Sequence, residues 1–198
     1  MRDKSTADPM IILASQSPRR AELLSQMGVA FRTAPADIDE RVLPGESPTD
    51  YVQRIATAKA QAVHALHADM PVIGSDTAVV VDAQILGKPG GRDDAVRMLL
   101  ALSGRSHQVM TGVAICHENI DYRLSVSSVT FRTISQREAF AYWDTGEPAD
   151  KAGGYAVQGL AAAFIERIEG SYSGIMGLPL FETMQLLNSV GVRGRLGV

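Results

Sequence analysis

Apolar positions along the chain fall into unbroken runs, stripes spaced three and four apart, and alternations, and each pattern predicts a different element. Ile11-Ile12-Leu13-Ala14 is an unbroken run that ends in Ser15-Gln16-Ser17-Pro18, which predicts a buried strand feeding a turn and a helix. Ser17 suits the N-cap and Pro18 the first helical position; Leu23, Leu24 and Met27 share one face, and Gly28 is placed to stop the helix. Phe31 to Ala36 reads as another strand. From Ser47-Pro48 to about His67, the spacing of Val52, Ile55, Ala56, Ala62, Val63 and Leu66 predicts a second helix. Pro71 to Val81 reads as a strand interrupted by the polar pair Asp76-Thr77, with Ile85 to Pro89 as its hairpin partner across Asp82-Ala83-Gln84.

Asp93 to Leu102 predicts a helix with acidic residues in its first turn and Gly104 beyond its end. His107 to Arg132 alternates as a long antiparallel hairpin does, turning near Glu118-Asn119. Ser135 and Glu138 form a capping-box pattern for a helix reaching about Thr145. A glycine-rich loop from Gly146 to Gly159, a strand from Ala163 to Ile168 and a helix from Pro179 to Val190 follow. The mixture of strand-helix units and hairpins predicts an α/β fold, a mixed twisted sheet with helices on its faces. With no internal repeat and no linker-like shift in composition, residues 1–198 are expected to form a single domain with flexible ends at 1–9 and 193–198.

Charge narrows the function classes. A formal net charge of −3 and a pI of about 5.8 give no global field for nucleic acid or an anionic membrane, so any anion site is local. The run Met10 to Ala14 is too short for a membrane span. The single cysteine, Cys116, rules out an intramolecular disulfide, and its alternating neighbours suggest a buried strand position in a reducing compartment. A cytoplasmic location is the expectation.

Several residues stand where packing alone does not explain them. Arg19 and Arg20 occupy a helical first turn, where cations oppose the macrodipole; with the hydroxyls of Ser15 and Ser17 and the free N–H groups they make a phosphate cradle, or else they are simply solvated. Lys59 lies on the helix stripe that faces the core, so it either snorkels to an edge or enters a polar cleft. Asp76 is a carboxylate inside an apolar strand and requires a metal ion, a lysine or a set of backbone donors. Asp39 and Glu40 add acid after a strand, and Lys88 closes the hairpin opposite Asp76. Gln158 carries one donor and one acceptor on its amide, which suits the O4 and N3–H edge of uracil or thymine but equally its own backbone. Carboxylates to hold Mg²⁺ or Mn²⁺, cations to neutralise charge and water as nucleophile are what phosphoanhydride cleavage needs.

Taken in order, Leu13 through Arg20, Gly74-Ser75-Asp76-Thr77, Leu86-Gly87-Lys88-Pro89, Gly146-Glu147-Pro148 through Gln158-Gly159, Gly170-Ser171-Tyr172 and Gly177-Leu178-Pro179-Leu180 resemble the Maf, or septum-formation-associated, nucleotide pyrophosphatases. The resemblance runs from about Met10 to Gly191. It implies two lobes around a deep cleft, akin to the inosine triphosphate pyrophosphatases, and a homodimer. It implies Asp76 as acceptor of the attacking water's proton, Glu40 and Asp76 as holders of the divalent metal, and Ser15, Arg19, Arg20, Lys59, Lys88 and Gln158 as the remaining lining of the nucleotide site. Asp150-Lys151-Ala152-Gly153 followed by Gln158 is similar to the branch acting on dTTP and UTP, with Arg19, Thr77 and Gln158 setting base choice. Gly174 departs from the asparagine of many relatives. Two alternatives stand beside this reading: the same chemistry on 7-methyl-GTP or a modified nucleotide, and a nucleotide-sensing or nucleic-acid-binding regulator of cell division without chemistry.

Overall fold

The structure, a computed structural model, describes residues 10–197; the expected flexible start and Val198 lie outside these. Strands β1 (Ile11–Leu13), β2 (Phe31–Thr33), β3 (Val72–Val81), β4 (Gln84–Leu86), β5 (Ser106–Cys116), β6 (Ile120–Phe131) and β7 (Ile165–Glu169) form one seven-stranded sheet in the order β2-β1-β3-β5-β6-β7, with β4 paired to β3. β1 runs parallel to β2 and β3, and the remaining pairs are antiparallel. The mixed α/β sheet expected from the sequence is therefore present.

Helices α1 (Pro18–Gln26), α2 (Pro48–His64), α3 (Arg92–Leu102), α4 (Gln136–Asp144), α5 (Tyr172–Met176) and α6 (Leu180–Ser189) cover both faces. Residues alternate across a strand, so Val72, Ala78 and Val80 of β3 pack with α2 residues Val63 and Val52. On the opposite face two separate cores form. Ile11, Leu13, Ile73, Val113 and Ile115 pack with Leu23 and Leu24 of α1 and Leu186 and Leu187 of α6. Val79, Val109, Val129 and Phe131 pack with Leu99 and Leu102 of α3 and Tyr142 of α4. Each of the fully buried leucines contributes about 1.5–3 kcal/mol by leaving water. These two cores are the lobes.

Between the lobes the sheet has a gap. β3 pairs with β1 at Val72 and Ile73 and with β4 at Val79 to Val81, so among the described residues its edge from Gly74 to Ala78 faces no strand on that side. The carboxyl end of parallel β1 and the start of α1 open into this gap, the kind of crevice in which α/β sheets bind ligands.

Some expected boundaries differ. The strand from Phe31 stops at Thr33, short of Ala36. α2 ends at His64 rather than near His67, so Leu66, expected on the buried stripe, is 78% exposed. The β3–β4 turn contains only Asp82 and Ala83, both with positive φ as a two-residue hairpin turn of this hand requires. Cys116, expected to be buried, is half-buried at the end of β5, and burial pushes its thiol pKa up. The strand expected at Ala163–Ile168 begins at Ile165, because Leu160–Phe164 coil into a 3₁₀ helix, and it is a largely exposed edge. Ser17 holds the N-cap position of α1 without a side-chain cap bond. The Ser135–Glu138 capping box is present.

Candidate active site

Ser15, Arg19, Arg20, Glu40, Lys59, Asp76, Thr77, Lys88 and Gln158 all line one cleft of about 420 Å³ that opens through the gap in the sheet. The sequence nominated these side chains from six separate stretches of chain, and the fold brings every one of them to the same cavity.

The centre of the site is set by how closely α2 approaches β3. A Cβ on Gly74 would lie 2.2 Å from the Ala56 carbonyl oxygen and 2.6 Å from the Ala60 nitrogen, so only glycine lets the helix backbone settle on the strand there. Asp76, two residues on and on the same face, then meets Lys59 of α2: Nζ donates to Oδ1 at 2.8 Å. Lys59 Nζ also lies 3.0 Å from Glu40 Oε1. Lys59 and Asp76 are both buried, whereas the Glu40 side chain is half exposed. Of the three compensations open to Asp76, the described residues supply the lysine, and Lys59 enters the cleft instead of snorkelling.

The opposite face of β3 holds Arg20. Its Nε donates to the Gly177 carbonyl at 2.7 Å, Nη1 to Ser15 Oγ at 3.3 Å and Nη2 to Thr77 Oγ1 at 3.5 Å. Burial lowers the Arg20 pKa, opposed by the nearby Asp76 and Glu40 charges. Gly177, with φ +114, turns the chain between α5 and α6 so that its carbonyl accepts from Arg20 and lies 3.0 Å from Ser75 Oγ, whose one hydrogen is shared between this carbonyl and that of Gly112 at 2.8 Å. Thr77 Oγ1 shares a hydrogen with Thr111 Oγ1 at 2.9 Å, and Thr111 donates to the Gly174 carbonyl at 2.7 Å. Ser75, Thr111 and Gly177 were not nominated from the sequence. Their only signal was that Ser75 and Gly177 fall inside matching stretches.

Arg19 reaches across the cleft mouth to Asp150, 3.8 Å away, and Asp150 also pairs with Lys151. The first turn of α1 lines the cleft, carries no acidic residue and has no side-chain cap bond, so its N–H groups lack an anionic partner within the helix. Lys88 and Gln158 are exposed on the cleft walls, Lys88 beyond the end of β4 and Gln158 in the glycine-rich loop.

That loop is seated on a buried aromatic cluster. His107 Nε2 and Tyr155 OH are 2.8 Å apart, and both rings pack edge-on against Phe131. Burial depresses the His107 pKa to about 4. An unfolded histidine takes up its proton near pH 6.5. The folded state refuses that proton, so this contribution to stability is complete above about pH 6.5 and is lost as pH falls toward 4, at no more than about 1.4 kcal/mol per pH unit. Urea midpoints between pH 7.5 and about 4.5 should show this loss, and a His107→Gln chain should show a shallower one. Equal slopes would assign the acid sensitivity to other groups.

A family model described as Maf-like protein matches residues 10–190. A dTTP/UTP pyrophosphatase of Saccharophagus degradans is 54% identical over 187 residues, covering 92% of this chain and 89% of that protein. A dTTP/UTP pyrophosphatase of Pseudoalteromonas atlantica is 52% identical over 188 residues, covering 92% and 98%. A solved nucleoside-triphosphatase / dITP/XTP pyrophosphatase from Mycobacterium abscessus aligns with a TM-score of 0.43 and 18% identity over 63% of this chain and 75% of that one, a likeness too slight to bear on function. With the family model spanning nearly all the described residues and relatives more than half identical along 92% of the chain, this protein belongs to the Maf-like protein family.

Proposed function

We propose that the chain hydrolyses dTTP and UTP to the nucleoside monophosphate and pyrophosphate. The observation that carries this reading is a buried carboxylate, Asp76, facing a cleft whose other walls present Arg19, Arg20 and Lys88. The names and identities of the relatives support the substrate pair.

Water attacks the α-phosphorus, a new P–O bond forms, and the bond from that phosphorus to the oxygen bridging to the β-phosphate breaks. Asp76 takes the proton from the water, and pyrophosphate leaves with the bonding electrons. Lys59 keeps Asp76 turned into the cleft, and Arg20, Lys59 and Lys88 neutralise charge on the departing group. Arg19 and the open N-terminus of α1 hold phosphate oxygens. Gln158 accepts from N3–H and donates to O4 of the pyrimidine, and Thr77 lines the cleft floor.

The reading includes a divalent cation, Mg²⁺ or Mn²⁺. Asp76 and Glu40 meet the same ammonium, 2.8 and 3.0 Å away, so two carboxylates of the hard-donor kind that Mg²⁺ prefers face one part of the cleft. Among the described residues no group of three or more His, Cys, Asp or Glu is disposed to hold a metal. These residues therefore fit an ion shared with substrate phosphates and water, the usual habit of Mg²⁺, rather than one caged by protein alone. A bound ion would neutralise phosphate oxygens and make water more acidic. The reading also takes the chain as a cytoplasmic homodimer, from the resemblance and from a single cysteine that leaves no intramolecular disulfide. No helix of the described residues is long and apolar enough to cross a membrane.

Isotopically labelled water tests the point of attack. UTP cleaved in heavy-oxygen water should give UMP carrying the label and unlabelled pyrophosphate in equal amounts. Label in pyrophosphate, or UDP with phosphate as products, would overturn the reading.

A further inference from the structure

Uracil and cytosine present reversed donors and acceptors on the edge that Gln158 would read, and a glutamine amide that is free to move can serve either. Discrimination therefore depends on how firmly the backbone carrying Gln158 is held. That backbone is tied down on both sides. On one side the Ala156 N–H donates to Tyr142 OH at 3.1 Å, and Tyr142 OH in turn donates to Glu147 Oε1 at 2.6 Å. On the other side the Leu160 N–H donates to Glu147 Oε2 at 3.0 Å. One carboxylate thus grips the chain at 156 through tyrosine and at 160 directly, with Gln158 midway.

The grip depends on a close approach. A Cβ on Gly159 would lie 2.3 Å from Glu147 Oε2, so the glycine after Gln158 leaves room for the carboxylate to slide under the loop. Tyr142 is 4% exposed and its ring packs edge-on against Phe164, so the hydroxyl is delivered from the rigid lobe core. Burial raises the Tyr142 pKa, with the Glu147 hydrogen bond acting in the same direction, which keeps the hydroxyl protonated as a donor.

We propose that Tyr142 and Glu147 are positioning residues for base choice: they hold the 156–160 backbone so that Gln158 meets a uracil or thymine edge and not a cytosine edge. The proposal rests on the dTTP/UTP reading. Its test is a double-mutant cycle of Tyr142→Phe and Gln158→Ala, read as the ratio of kcat/KM for UTP to that for CTP. Tyr142→Phe keeps the ring packing and should lower this ratio about tenfold, mainly through a higher KM for UTP, the scale of one well-placed hydrogen bond. In the Gln158→Ala background the same substitution should change the ratio by less than about twofold, because the amide it positions is gone. Glu147→Gln, which keeps an acceptor for Leu160 N, should retain more of the ratio than Glu147→Ala. A Tyr142→Phe enzyme with unchanged UTP/CTP discrimination, or an equal loss with and without Gln158, would overturn the positioning role. A parent chain that cleaves neither dTTP nor UTP would instead overturn the reading beneath it.

Discussion

Asp76→Asn lowers turnover of UTP by about 10³-fold or more, the scale of a lost general base, while the variant still folds. Asparagine is close to isosteric and its amide oxygen still accepts from Lys59 Nζ, and Glu40 at 3.0 Å remains as that ammonium's charged partner, so the variant loses stability without losing the packing of α2 on β3. What is lost is the capacity to take a proton and one of two negative charges in the cleft centre. Turnover measured with saturating metal and substrate, beside circular dichroism of the same sample, separates the two effects. Retention of more than about a tenth of turnover would remove Asp76 from the reaction.

Gly74→Ala is expected to be the most damaging single methyl in the described chain. Its Cβ would meet the Ala56 carbonyl oxygen at 2.2 Å and the Ala60 nitrogen at 2.6 Å, both helix backbone atoms with no rotamer to yield. Overpacking of this kind costs about 1–3 kcal/mol, and here relief requires α2 to lift from β3, which also separates Lys59 from Asp76. Parting a buried ion pair adds a cost of its own, about 3–5 kcal/mol when a partner is removed outright. A loss above about 3 kcal/mol in urea unfolding, with kcat/KM falling in whatever fraction folds, is the expected result. A variant with the parent's midpoint would mean that the helix does not sit on the strand this closely.

Much of the site was legible because its residues violate local rules. Asp76 is a carboxylate in a strand that is otherwise apolar, and Lys59 is a cation on a buried helical stripe. Each is unfavourable alone, and the fold resolves both by pairing them. Arg20 was likewise marked by its helical first turn, although the sequence left solvation open, and the structure holds it half-buried against Gly177, Ser15 and Thr77. The partners that hold Arg20 were not legible. Ser75, Thr111 and Gly177 are small residues with no local signal of their own, whose roles exist only because β3, β5 and the turn after α5 meet across 63 to 102 positions of chain. Tyr142 and Glu147 are of the same kind: a helix aromatic and a loop acid become a clamp only when the chain from 156 to 160 folds back over them.

The fold was read best where periodicity was strong. α2, α3, β3 and the β5–β6 hairpin fall close to where the apolar spacing put them. It was read worst where the pattern was short. The last strand starts at Ile165 and not Ala163 because Leu160–Phe164 form a 3₁₀ helix, and it is exposed because it is the edge of the sheet; Leu66 fell outside α2 when the helix ended at His64. The gap in the sheet from Gly74 to Ala78 has no local signal at all, since it arises from where two other strands stop.

The most direct measurement is kcat/KM for pyrophosphate release from dTTP, UTP, CTP, GTP, 7-methyl-GTP and ITP with Mg²⁺ or Mn²⁺. The account predicts that dTTP and UTP lead the series and that activity disappears when the metal is chelated. Preference for 7-methyl-GTP would contradict the base assignment made from Gln158, and binding of UTP without release of pyrophosphate at either metal would contradict the hydrolase itself.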